Sequence, residues 1–172
     1  MKTNNIIFVA GIHGVGKTTI CSKICKKSGI KHYSASELIS KYKVENFKKD
    51  KKVENISKNQ NILYHAVRKY LDNDKYYLLD GHFCLINING NVERIPLDIF
   101  ERLPIREIVV LIDKAENIRL KLMNRDSNKY SLDFIKEFQN NEIEYAKEIS
   151  KRLRVCCRCI NVQEAEKELL EY

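Results

Sequence analysis

Short apolar runs alternate with amphipathic stretches along the whole chain. Residues 6–10 read as a buried strand; a glycine-rich loop follows, then a helix over 17–27. Residues 32–34 are a short extended piece. Ser34 is placed to cap the next helix, with Glu37 as its capping-box partner. Residues 41–58 are rich in lysine and poor in large apolar side chains, which predicts a helical excursion on the surface. Ile62, Leu63, Ala66, Val67 and Tyr70 share one helical face, so a helix is predicted over 59–71. A second core strand falls at 76–80. Asn89-Gly90, between the alternating runs 83–88 and 92–95, is a hairpin signal. Pro96 starts a short helix to about 103. The β-branched run 108–112 is a third core strand, followed by helices over 115–124 and 131–152, a strand over 154–160 and a closing helix over 163–171. Strands alternating with helices imply a parallel sheet covered on both faces. The 172 residues show no repeat or linker, so a single domain is expected.

Composition narrows the function classes. Lys and Arg number 31 and Asp and Glu 23, a net +8. Most of the excess is lysine scattered among Asn and Ile, the pattern of a solvated surface rather than a nucleic-acid stripe; nucleic acid is therefore not the favoured partner. No apolar run reaches the ~18 residues a membrane helix needs, and the first residues are too weakly apolar for a secretory signal. No membrane contact is expected, and the cytosol is the expected compartment. Cys21, Cys25, Cys84, Cys156, Cys157 and Cys159 are read as buried reduced thiols. Cys21 and Cys25 lie one helical turn apart without a second pair beside them, a weak metal signal.

Gly11-Ile12-His13-Gly14-Val15-Gly16-Lys17-Thr18 matches G-x-x-x-x-G-K-[ST] at every fixed position, between a predicted strand and a predicted helix. Glycines let the backbone turn so that several N–H groups converge on one anion. The following helix N-terminus adds a favourable dipole. Lys17 reaches the terminal phosphates as a point charge, and the Thr18 hydroxyl is a hard ligand for Mg²⁺. Thr19 either bonds the α-phosphate or lies on the helix surface. His13 either touches an acceptor or faces solvent. ATP is preferred to GTP, because no Asn-Lys-x-Asp base-reading motif is present.

Asp80 ends the strand at 76–80, and ligands in open parallel sheets gather at strand carboxyl ends. That places Asp80 to hold Mg²⁺. Asp113 ends the third core strand and reads as the cap of the next helix.

The phosphate loop, Ser34-Ala35-Ser36-Glu37-Leu38, Leu79-Asp80-Gly81-His82, and Arg125-Asp126 before a long helix together resemble the nucleoside monophosphate kinases. The resemblance is closest to the adenylate-kinase-like group that includes archaeal adenylate kinases and the nuclear adenylate-kinase-related ATPase. It implies a three-layer α/β P-loop fold with a five-stranded parallel sheet of order 2-3-1-4-5. It further implies a mobile acceptor arm at about 34–71, carrying Ser34, Ser36 and Glu37, and a lid at about 121–130, where Lys121 and Arg125 fall at basic positions with Arg119 nearby. The turn near Asn161-Val162 would contact adenine. ATP and Mg²⁺ would be the phosphoryl donor, and a nucleoside monophosphate, AMP first, the acceptor, with Lys17, Arg125 and Asp80 catalytic. The sequence departs from that group at Asp80-Gly81-His82-Phe83-Cys84, where many adenylate kinases carry Asp-Gly-Phe-Pro-Arg, and at Lys41, where an arginine is expected. His82 either bonds the acceptor or is a satisfied loop histidine. A small-alcohol kinase, with Glu37 or Asp80 as base, and an ATPase switch binding RNA or protein are the alternatives. Monomer and dimer are equally compatible with the sequence.

Overall fold

In the computed structural model, residues 4–47, 59–125 and 130–170 are described. Five strands form one parallel sheet. They are β1 (Ile6–Ala10), β2 (Lys31–Ser34), β3 (Tyr77–Asp80), β6 (Ile105–Ile112) and β7 (Cys156–Asn161), in the order β2-β3-β1-β6-β7. Counting only these strands, that is 2-3-1-4-5. All five residues of β1 are buried. The strand is Ile-Ile-Phe-Val-Ala because both faces are covered, where alternation would expose half of it. β1 pairs with β3 from Ile6↔Tyr77 to Val9↔Asp80, and β2 continues outward with Ser34↔Asp80. The carboxyl ends of β1, β3 and β2 therefore finish side by side.

Helices α1 (Lys17–Ser28), α2 (Ala35–Phe47), α3 (Asn59–Tyr70), α4 (Leu97–Arg102), α5 (Ala115–Arg125), α6 (Leu132–Leu153) and α7 (Ala165–Leu169) cover the sheet. Ser131 caps α6 by accepting from the Phe134 amide at 3.1 Å, which fixes the start of the longest helix. The expected hairpin is a separate two-stranded sheet, β4 (Cys84–Ile86) with β5 (Val92–Arg94). It turns through Gly90 at φ 80°. Between hairpin and sheet, Phe8, Phe83 and Phe100 pack with ring centroids 4.8–5.7 Å apart, in the offset and edge-on geometries aromatic pairs favour.

Some expectations are corrected. Only Cys21 and Cys84 are buried; Cys156 and Cys159 are exposed, because β7 is an edge strand. β7 begins at Cys156, two residues later than expected, since Arg154 sits in the left-handed region at φ 57° closing α6. Ser34 directly precedes α2, in the cap position expected of it, and is also the last residue of β2; its hydroxyl lies 2.9 Å from that of Ser36. Of the predicted 41–58 excursion, α2 continues to Phe47; residues 48–58 lie outside the described chain. No helix among the described residues is long and apolar enough to cross a membrane.

Candidate functional site

The glycine loop leaves the carboxyl end of β1 and runs into α1. Gly16 stands before α1 at φ 112°, and no side chain caps that helix, so its first-turn amides are left for a ligand. Lys17 is buried and curls back over the loop. Its ammonium donates to the Gly11 carbonyl at 2.6 Å and the Ile12 carbonyl at 3.3 Å. Val15 is buried in the core beneath the loop. Thr18 and Thr19 are exposed at the helix start.

Asp80 is buried at the end of β3. Its Oδ2 lies 3.4 Å from the Thr18 hydroxyl, so two hard oxygen donors meet beside the phosphate loop. That donor chemistry fits Mg²⁺. The same Oδ2 lies 2.6 Å from His32 Nε2. Cys21, one turn beyond Lys17, comes to the same place. The ligand atoms of Cys21, His32 and Asp80 all lie within 4.8 Å of one another. Burial first, and the Asp80 charge second, hold the Cys21 thiol well above its ordinary pKa.

On the other flank, Lys121 donates to the Val15 carbonyl at 3.2 Å and to Asp113 Oδ2 at 2.9 Å. Asp113 Oδ1 accepts from the Lys114 amide and the Asn117 side chain, both at 2.8 Å; α5 begins at Ala115, so Asp113 stands one residue before the cap position expected of it. Burial raises its pKa, but the bonds from Asn117 and Lys121 outweigh that and hold it low. Arg125 ends α5; its side chain, and residues 126–129 of the expected lid, lie outside the described chain. Arg119 is half-buried on α5. Val162 approaches Gly16, 3.5 Å from where a β-carbon would stand.

A cavity of about 680 Å³ opens from the loop. Its floor is His13, Gly14, Gly16, Lys17, Thr18 and Thr19, and Asp80, His82, Ser34 and Ser36 line one side. The far wall is apolar, with Phe8, Ile39, Leu63, Ile95, Ile99 and Phe100. Glu37, expected among the acceptor residues, is exposed on α2 and is not part of this lining. His13 packs its ring 4.1 Å from that of His82. Burial first, then Lys17 and His13, push the pKa of His82 down to about 2, so its imidazole is neutral. His82 Nδ1 is buried without a hydrogen-bond partner among the described residues. His13 also borders a second cavity of about 690 Å³, under the hairpin and against Tyr130 and Phe134.

Two residues that sequence reasoning passed over hold this arrangement. Glu142, fully buried on α6, accepts from the amides of Gly11 at 3.2 Å, Phe83 at 2.9 Å and Cys84 at 2.7 Å. It ties the start of the phosphate loop to the turn after β3. Burial pushes its pKa up, and the amides and Lys17 oppose that. The one signal was a lone Glu on the apolar face of the long helix, between Phe138 and Tyr145. His32 carried no signal, since its place follows from β2 pairing with β3.

A glycine loop leaving the central strand of a parallel sheet, with an acidic residue ending the neighbouring strand, is the P-loop class of nucleotide-binding folds. Within that class the chain belongs to the AAA domain family, whose family model matches residues 10–139. No curated protein matches the sequence. Among solved structures, an unliganded sugar kinase from Janibacter sp. HTCC2649 shares 14% identity at a TM-score of 0.57, over 97% of this chain and 90% of its own. A gluconokinase from Sinorhizobium meliloti 1021 shares 12% at 0.51, over 99% and 90%. An uncharacterized protein from Eubacterium ventriosum ATCC 27560 shares 14% at 0.50, over 99% and 98%. These likenesses establish the fold.

Proposed function

We propose that the chain is an ATP- and Mg²⁺-dependent phosphotransferase whose acceptor is a small molecule bound in the cavity beside the phosphate loop. The adenylate-kinase-like reading makes that acceptor a nucleoside monophosphate, AMP first. One observation carries the proposal: the uncapped start of α1, the Thr18–Asp80 pair and a cavity large enough for a small ligand all meet at one place.

The residues divide the work. The loop amides and the α1 N-terminus hold the phosphate chain. Lys17 exchanges its loop carbonyls for phosphate oxygens and offsets charge on the moving phosphoryl group. Lys121, already at the loop edge, and Arg125 add cationic charge from α5. Thr18 and Asp80 would hold Mg²⁺, which when bound neutralises phosphate charge. Ser34, Ser36 and His82 orient the acceptor. A monophosphate oxygen is itself the nucleophile, so no strong base is required. Closure of the 34–71 arm and the 121–130 region would exclude water.

A second reading, a kinase of an uncharged alcohol, is favoured by the wall chemistry. Lys17 is the only Lys or Arg among the described residues lining the cavity, and a phosphorylated acceptor needs cationic partners. Among the described residues lining the cavity, Asp80 is then the one carboxylate, since Glu37 lies outside. One similar fold being a sugar kinase supports including such acceptors.

The test is a coupled assay of ADP formation from Mg·ATP, with each nucleoside monophosphate and with a panel of hydroxylated metabolites. Stimulation by AMP or another monophosphate, lost in Lys17→Ala, supports the first reading. Stimulation by a neutral alcohol alone supports the second. Turnover that no small molecule accelerates removes both, in favour of an ATPase switch.

A further inference from the structure

We infer that Cys21, His32 and Asp80 form a binding site for a divalent cation of borderline softness, such as Zn²⁺, beside the phosphate loop. The three residues come from three elements. Cys21 lies on α1, His32 on β2 and Asp80 at the end of β3. Their donors are a thiol sulfur, an imidazole nitrogen and a carboxylate oxygen, within 4.8 Å of one another. Thiolate and imidazole select zinc-like ions over Mg²⁺, which takes hard oxygens.

The distances suit such an ion after small movements. Tetrahedral ligands about 2.0–2.3 Å from zinc stand roughly 3.3–3.7 Å apart. The His32–Asp80 pair, now at 2.6 Å, must open by about 1 Å on that scale. The sulfur, within 4.8 Å of both other donors, must close by at most about 1.5 Å on the same scale. Cys21 is 0% exposed, and the side chains of His32 and Asp80 are 11% and 7% exposed. Water competes poorly there. Asp80 lines the cavity, which marks the side from which the ion arrives. Three protein ligands leave one tetrahedral position.

The proton balance is simple. The Cys21 thiol gives its proton to buffer and binds as thiolate. His32 binds through Nε2 as a neutral imidazole, its ring proton on Nδ1. No electron is transferred. The ion takes the carboxylate that Thr18 shares. It follows, on the phosphotransferase reading, that zinc competes with productive Mg²⁺ binding and stops turnover. The binding itself does not depend on that reading.

The experiment is a Co²⁺ titration of the untagged, nucleotide-free full chain, carrying Cys156→Ser and Cys159→Ser to remove the exposed thiols. A thiolate-to-cobalt charge-transfer band saturating at one ion per chain, displaced by Zn²⁺ but not by excess Mg²⁺, is expected. Cys21→Ser should abolish the band. His32→Asn, which leaves the buried thiol in place, should weaken binding by more than about tenfold. Circular dichroism confirms that both variants fold. No band, or a band that survives Cys21→Ser, overturns the proposal. If a Zn²⁺ complex forms while the ATP assay shows no turnover under any condition, the site stands and the phosphotransferase reading alone fails.

Discussion

The carboxylate of Glu142 accepts a hydrogen bond from the amide of Gly11 at 3.2 Å, across 131 residues of sequence. Through the same group, the amides of Phe83 and Cys84 are fixed. One buried side chain therefore sets the distance between the phosphate loop and the segment carrying Asp80 and His82.

Glu142→Gln puts this to a direct test. A glutamine has one acceptor oxygen where three amides now point, so at least one N–H is left facing an NH₂. The expected loss is about 1–3 kcal/mol of unfolding free energy, measured by urea denaturation. Affinity for Mg·ATP should fall too, because an uncharged amide oxygen holds the Gly11 N–H more weakly than the carboxylate does. Unchanged affinity in a folded variant would show that the loop holds its shape without Glu142.

Lys17→Ala should leave the fold intact and lower ATP turnover roughly a hundredfold to a thousandfold, the scale of one lost charge stabiliser. Steady-state ADP release measures it. Thr18→Ala and Asp80→Asn should instead shift the Mg²⁺ dependence upward, read from turnover against Mg²⁺ at saturating ATP.

His82 makes a pH prediction. Its pKa is near 2 when folded, against an ordinary value of about 6.5 in the unfolded chain. Below about pH 6.5 the unfolded chain takes up a proton that the folded chain refuses. Its contribution is therefore complete above that pH and is lost as pH falls toward 2. Between pH 7.5 and 5 this amounts to at most about 2 kcal/mol. His82→Gln removes that titration, so the wild type should lose more stability than the variant over this interval. Parallel losses in urea melts would contradict the assignment.

Two glycines with similar dihedrals should respond differently to alanine. Gly14 has φ +82°, and a β-carbon there would stand 2.8 Å from Leu122 Cγ; Gly29 has φ +75° and nothing within 4 Å. Gly29→Ala carries only left-handed strain, about 1 kcal/mol. Gly14→Ala adds a clash and should cost more, with a displaced α5 and weaker nucleotide binding. Thermal melts and nucleotide titration separate the two.

Much of the architecture was legible because its causes are local. β1, most of β3 and the 108–111 stretch of β6 are apolar runs buried on both faces, and the phosphate loop announces itself in eight consecutive residues. The cysteines of β7 misled because alternation shows which residues share a face, and not that the strand lies at the sheet edge. Glu142 and His32 were illegible for a different reason. Each acquires its partner only when distant segments meet, Glu142 through the lie of α6 and His32 through the pairing of β2 with β3. The metal-ligating triad was split for the same reason, with Cys21 read against Cys25 on its own helix and never against β2.

β1 has a further consequence for how the chain comes into being. It leaves the ribosome before both of its neighbours, β3 and β6, which end at Asp80 and Ile112. At typical bacterial and eukaryotic synthesis speeds of about 5–20 residues per second, five apolar residues wait roughly 5–20 s for their second neighbour. For that interval a strand that the finished protein buries along its whole length is an exposed apolar segment, and cellular yield depends on what shields it during translation.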